Sequence, residues 1–277
     1  MSTRKKVLWW IAGAVIVLYA LFPIAWIISI SLKAPSDIAN GQFLPTSPSW
    51  VNYETILTGS ASDLFLPALR NSFGIVLIAT AISCVLAMFA AYAIARLDFP
   101  GKKLILSTAL GVAIFPVISI VTPLFNVWRQ VGLYDTWPGL ILPYLSLTLP
   151  ISIWTMSAFF REIPWEMEQA AQVDGATTWQ AFRKVIVPLA APGVFTTAII
   201  AFFLAWNDFV YGIVLTSTEA ARPVPAALGL FSGASQFESP RGAISAAAVL
   251  VTIPVVVLVL LFQRRIVAGL TNGAVKG

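Results

Sequence analysis

The chain has 277 residues, 58% hydrophobic and 10% charged, with a mean hydropathy of +0.87. A soluble domain averages about 45–50% apolar and about 25% charged, so an ordinary soluble enzyme, a disordered tail and a coiled coil are excluded and the excess apolar residues must face lipid. One cysteine, Cys84, and no histidine exclude a disulfide within the chain, His-based or paired-Cys zinc sites and any His-dependent triad, while the net charge of +5 reads as basic cytoplasmic loops.

Six stretches meet the requirement of about 20 largely apolar residues for a span: 7–32, 71–95, 104–128, 137–160, 185–215 and 242–263. Arg4, Lys5 and Lys6 precede the first, but its uncharged run exceeds a signal-peptide core of about 7–15 residues, so a retained helix is expected. The third to fifth carry Pro116, Pro123, Pro138, Pro143, Pro150, Pro188 and Pro192, which suggests bends around a cavity. With the N-terminus inside, 12 of the 17 basic residues fall inside, among them Arg96, Lys102, Lys103, Arg161, Arg183, Lys184, Arg264 and Arg265. The positive-inside rule then puts both termini in the cytoplasm. Trp9 and Trp10 near one interface, and Trp128 and Trp137 near the other, read as packing or lipid anchors. The expected fold is an all-α integral membrane protein: one transmembrane domain, 1–277, of six helices.

External loops are expected at 33–70, with room for a short interfacial helix, and at 216–241, where Phe231 and Phe237 could anchor a partner. The cytoplasmic loop 161–184 is the informative one. Pro164 suits the first turn of a helix, and Glu166 and Glu168 sit where the helix dipole favours acids. Gly175 can end that helix in the left-handed conformation, and Thr177 with Gln180 fits a capping box that opens a second. The loop thus predicts a helix–turn–helix along the membrane surface. Met167, Ala170, Ala171 and Asp174 share one side of its first helix; Trp179, Phe182 and Ile186 share one side of its second. Such a pair either docks a partner or lies flat on lipid.

This loop resembles the pattern E-A-A-x-x-x-G-x(9)-I-x-L-P of the permease subunits of binding-protein-dependent ABC importers. Gln169, Ala170 and Ala171 are followed by Gly175, and nine residues later by Val185, Val187 and Pro188. Gln169 stands where that family usually has a Glu that pairs with a basic group on the ATPase; a hydrogen bond from Gln169, or the charge of Glu168, could substitute. Trp206-Asn207-Asp208 resembles a feature of the sugar-permease branch, and the tail 269–277 resembles that of the maltose-type second permease. The resemblance implies ATPase coupling through Glu166, Glu168, Gln169, Ala170, Ala171, Asp174, Gly175, Trp179 and Phe182, and a tail contact through Asn272, Gly273 and Lys276. It also implies the partners: a second homologous permease, two ATPase subunits carrying ATP and Mg, and an extracytoplasmic sugar-binding protein. Likeness to the trehalose-importing branch implies a disaccharide such as trehalose as cargo.

No P-loop occurs; Gly101-Lys102-Lys103 lacks both the first Gly and the Ser/Thr, so ATP hydrolysis is expected in the partners and no cofactor on this chain. Asp208 is the only charge deep in a span, and an intramembrane acid is a functional candidate. With Trp206, Asn207, Ser119, Thr122 and Asn126 it forms the candidate substrate path; the competing reading of Asp208 is a structural hydrogen bond to a neighbouring helix or a place near the outer interface, and that of Ser119, Thr122 and Asn126 is pairing with backbone freed by Pro116 and Pro123. A secondary transporter would want more ionisable groups at mid-membrane, and a membrane enzyme would want catalytic candidates that the spans lack.

Overall fold

The computed structural model describes residues 3–231 and 240–274, with side chains through 262. Helix α1 (Thr3–Ser31) leads through a 3-10 turn (Pro35–Asn40) to α2 (Val51–Leu57) and the long α3 (Ser62–Arg96). Then come α4 (Lys102–Ala113), α5 (Val117–Val131), α6 (Trp137–Glu162) and α7 (Trp165–Val173). A continuous stretch follows, made of α8 (Thr178–Ala181), a π turn (Phe182–Ile186) and α9 (Val187–Leu189). Next are α10 (Ala191–Trp206), α11 (Val210–Leu215), α12 (Val224–Leu230) and α13 (Arg241–Ala274). Among the described residues the one extended pairing is a bridge between Lys33 and Pro48.

Four helices, α1, α3, α6 and the described part of α13, are each long and apolar enough to cross a membrane. The other two expected spans are broken, which corrects their reading as single helices. Residues 104–128 fall on α4 and α5, which meet at an angle of 87°. Pro116 causes this break: it has no N–H to donate, and it disfavours helical geometry at Phe115. Residues 185–215 fall on α9, α10 and α11. The stretch 178–189 meets α10 at 70°, with Pro192 in the first turn of α10. Helix α10 then stops at Trp206, and Asn207–Phe209 separate it from α11.

The chain divides into two compact units, Met1–Pro67 with Ala227–Pro254, and Ala68–Ala226 with Val255–Gly277. In the first, α1 is exposed along its length apart from its last turns, where Ser29 and Ser31 are buried. Asn52 of α2 ties this end down, donating to the carbonyls of Ser31 (3.0 Å) and Lys33 (2.7 Å). Lys33 is itself buried; its ammonium donates to Asn40 and to the Gln42 carbonyl and lies 5.8 Å from the Trp26 ring centroid.

The second unit is built on one face of α3. Ile75, Ala79, Ser83, Ala87 and Ala91 recur every fourth residue and are all fully buried. Lipid tails are as apolar as Leu, so helices in a membrane associate through close packing and interhelical hydrogen bonds. This stripe supplies both: four of its side chains are small or apolar enough to let α6 approach, and Ser83 hydrogen-bonds Thr148 of α6 at 2.5 Å. Helix α10 also packs on α6, and a Cβ at Gly193 would come within 2.4 Å of the Phe159 ring. Pro143 leaves the Gly139 carbonyl without its intrahelical donor, and the Trp128 indole N–H fills that place at 2.7 Å. Trp137 likewise donates to Asn71 and to the Ala220 carbonyl, so of the packing and lipid-anchor readings these two tryptophans take the packing one.

Candidate coupling site

The loop between α6 and α10 folds as its residues dictate. Pro164 occupies the position just before the first turn of α7, not within it, and Glu166 and Glu168 fall in that first turn. Gly175 has φ +89°, which ends the helix in the left-handed region, and the Ala176 N–H returns to the Ala171 carbonyl at 2.9 Å. The capping box is complete: Gln180 N–H donates to Thr177 Oγ1 at 3.2 Å, and Thr177 N–H donates to Gln180 Oε1 at 2.9 Å.

Two helices this short do not hold themselves in place. The second is anchored by burial. Phe182 and Ile186 enter a core with Ala91 of α3, Met156 and Phe160 of α6, Ile163 and Ala190. Phe182 was expected on the outward docking face; it is a core residue, because the continuous π turn and α9 set it against the end of α3. The Tyr92 ring meets it edge-on, with centroids 4.7 Å apart. Trp179 lies above it, exposed, stacked on Phe182 at 5.5 Å and on Phe89 at 6.2 Å.

The first helix is anchored by charge. Glu168 was expected among the outward coupling residues; its side chain is instead 5% exposed and turned into the protein. Tyr92 Oη donates to Glu168 Oε1 at 2.5 Å. Arg96, one turn further along α3 and only 2% exposed, brings Nε to 3.8 Å from Glu168 Oε2. Its Nη2 donates to the Ile163 carbonyl at 2.7 Å, and its guanidinium lies 4.7 Å from the Trp165 ring centroid. One arginine thus reaches the end of α6 and the start of α7 together. Its Nε and Glu168 Oε2 face each other without a hydrogen bond, so charge attraction alone spans the gap. Tyr92, Arg96 and Trp165 were missed by the sequence reading. A polar pair spaced four residues apart at the end of an apolar span was the available signal.

With Glu168 inside, the outward face of the loop carries Glu166, Met167, Gln169, Ala170, Asp174 and Gly175; Ala171 is half-buried. Gln169 is therefore the outward polar group in the position of the family's Glu. The tail residues Asn272 and Gly273 fall in α13 beyond the described side chains, and Lys276 lies outside the described residues, as does Phe237. Phe231 is half-buried.

The candidate substrate path separates into two groups. Ser119, Thr122 and Asn126 share one exposed face of α5. Trp206 is buried, stacked on Phe202 at 5.1 Å and edge-on to Phe73 at 5.0 Å. Asp208 accepts from the Gly212 N–H at 3.1 Å and the Tyr211 N–H at 3.5 Å, so it caps the first turn of α11. Asn207 is exposed and donates to the Phe203 carbonyl at 2.9 Å.

The helix pair thus sits between two expected spans and is clamped to a third. The profile of the family described as binding-protein-dependent transport system inner membrane component matches residues 83–272, and the chain belongs to that family. It is 56% identical over its full 277 residues to the trehalose transport system permease protein SugB of Mycobacterium tuberculosis, covering 100% of both chains. It is 39% identical to the sulfoquinovosyl glycerol transport system permease protein SmoH of Agrobacterium fabrum, over 98% of this chain and 94% of that one. To the trehalose/maltose transport system permease protein MalG of Thermococcus litoralis it is 36% identical, over 99% and 98%. In fold it matches a chain of the crystal structure of a bacterial ABC transporter involved in the import of the acidic polysaccharide alginate, with TM-score 0.78, 24% identity, and coverage of 95% of this chain and 98% of that one.

Proposed function

We propose that this subunit carries a sugar, a disaccharide such as trehalose, across the plasma membrane by alternating access. It does so with a second homologous permease, two ATPase subunits and an extracytoplasmic sugar-binding protein. The full-length likeness to permeases named for trehalose and trehalose/maltose transport supports this cargo. ATP and Mg bind on the ATPases, and this chain supplies no nucleotide chemistry. Both termini lie in the cytoplasm, as the distribution of basic residues favours.

One observation carries the reading: the loop that bears the family pattern is fixed to α3 on its inner side and leaves Gln169, Ala170, Asp174 and Gly175 facing out. Closure of the ATPases on ATP displaces the outward face. Because the inner side is fixed through Glu168, Arg96 and Phe182, the displacement passes to α3, α6 and α10 instead of being absorbed by the loop. The cavity then switches between inward-facing and outward-facing states. Ser119, Thr122 and Asn126, polar and exposed on α5, line the path by which the sugar passes.

Reconstitution tests this. The complex in liposomes, with its binding protein outside and ATP inside, takes up labelled trehalose, and a protonophore has no effect. Uptake that ignores ATP and collapses with the proton gradient would mean an ion-coupled transporter.

A further inference from the structure

Where α3 and α6 end and α4 begins there is a cavity of about 260 Å³ that the coupling reading does not use. Its lining is half basic and half apolar: Lys102, Lys103 and Arg161 with Ile94, Ala95 and Leu106. Lys102 is already engaged, donating to Asp98 at 2.9 Å and to the Leu97 carbonyl at 3.1 Å. Lys103 and Arg161 are exposed and have no ion pair or hydrogen bond among the described residues. The first turn of α4 holds no acid. With Lys102 paired to Asp98, Lys103 and Arg161 leave the cavity net positive, with no acid of the described residues paired to either.

We propose that this cavity binds the phosphate headgroup of an anionic membrane lipid. Its depth identifies the ligand. Ile94 and Ala95 lie in the last turn of α3, and Arg161 in the last turn of α6, and both helices are long and apolar enough to cross the membrane. The cavity thus opens at the level where lipid phosphates lie. Basic pockets between spans on the cytoplasmic side suit such headgroups. The Arg161 guanidinium can hold two phosphate oxygens at once, and Lys103 supplies a second, point-like charge. The apolar walls give the first carbons of an acyl chain a surface, which a free phosphate ion would leave bare. The proposal rests on the chain being a membrane component, not on its coupling role, so either can fail without the other.

The assembled complex is purified from nanodiscs containing phosphatidylglycerol and phosphatidylcholine, and retained lipid is counted by native mass spectrometry. The parent complex keeps phosphatidylglycerol in preference. Removing one charge, by Lys103→Gln or Arg161→Gln, weakens retention about fivefold, and the double variant about 30-fold. Leu106→Trp fills the cavity without altering charge and gives the same loss, so the result does not depend on the charge variants assembling. Retention equal to the parent in these variants overturns the proposal. So does displacement of the lipid by equimolar inorganic phosphate, which would make this a free-anion site. Loss of a partner subunit with lipid retention unchanged overturns it too, by making the occupant a protein.

Discussion

Glu168 and Asp208 are two acids in a chain with little charge, and they are satisfied in opposite ways. Asp208 takes its hydrogen bonds from backbone N–H groups three and four residues ahead of it, in its own local turn, with the Tyr144 hydroxyl of α6 also within electrostatic reach. Glu168 is satisfied by Tyr92 and Arg96, which lie 76 and 72 residues away in sequence on another helix. The first arrangement shapes one break in one span. The second ties two separate elements together. In the sequence, depth in the membrane singled out Asp208 and the loop pattern singled out Glu168; the structure adds where the partners of each come from.

Removing one member of each pair breaks the comparison most directly. Glu168→Ala leaves the buried Arg96 without its counter-charge, and loss of one partner of a buried pair costs about 3–5 kcal/mol. The expected result is a large drop in thermal stability of the detergent-purified subunit and lost uptake. Gly175→Val comes next. The site has open space around a Cβ, so the penalty is the left-handed backbone alone, about 1–2 kcal/mol. Assembly persists, but ATP hydrolysis runs without uptake, measured as the ratio of the two rates in liposomes. Thr177→Ala removes half of the capping box and costs about 1 kcal/mol, read as a small fall in melting temperature with uptake reduced in proportion. Asp208→Asn is the smallest. Asn caps a helix about as well as Asp, so stability should change by only a few tenths of a kcal/mol. Uptake is retained; a complete loss of uptake would return Asp208 to the substrate path.

The coupling loop was legible because its signals are local. Gly175, Thr177 and Gln180 each act within four residues, and their geometry follows from their chemistry. The joint beneath the loop was not legible, because no sequence spacing relates Arg96 to Glu168. The inward turn of Phe182 was hidden for the same reason: periodicity shows that residues share a face, not what that face meets. The spans were legible as apolar stretches, and bends were expected from the prolines of the third to fifth, but which prolines would break a span was not. Pro116 opens an 87° bend, whereas Pro123 sits inside α5, and Pro143 and Pro150 sit inside an α6 long enough to span. At Pro143 the carbonyl the proline strands is met by Trp128, and that neighbour is a tertiary fact.

The Trp128–Gly139 bond turns this into a rule of inheritance for the subunit. A tryptophan and a proline 15 positions apart are joined through an oxygen that belongs to neither. Trp128→Phe alone strands that oxygen in hydrocarbon. With alanine at 143, the helix supplies its own proton and the same change at 128 loses most of its penalty. Lineages are thus free to drop the indole only after, or together with, the proline, and the order in which the two positions drift is set by a single missing hydrogen.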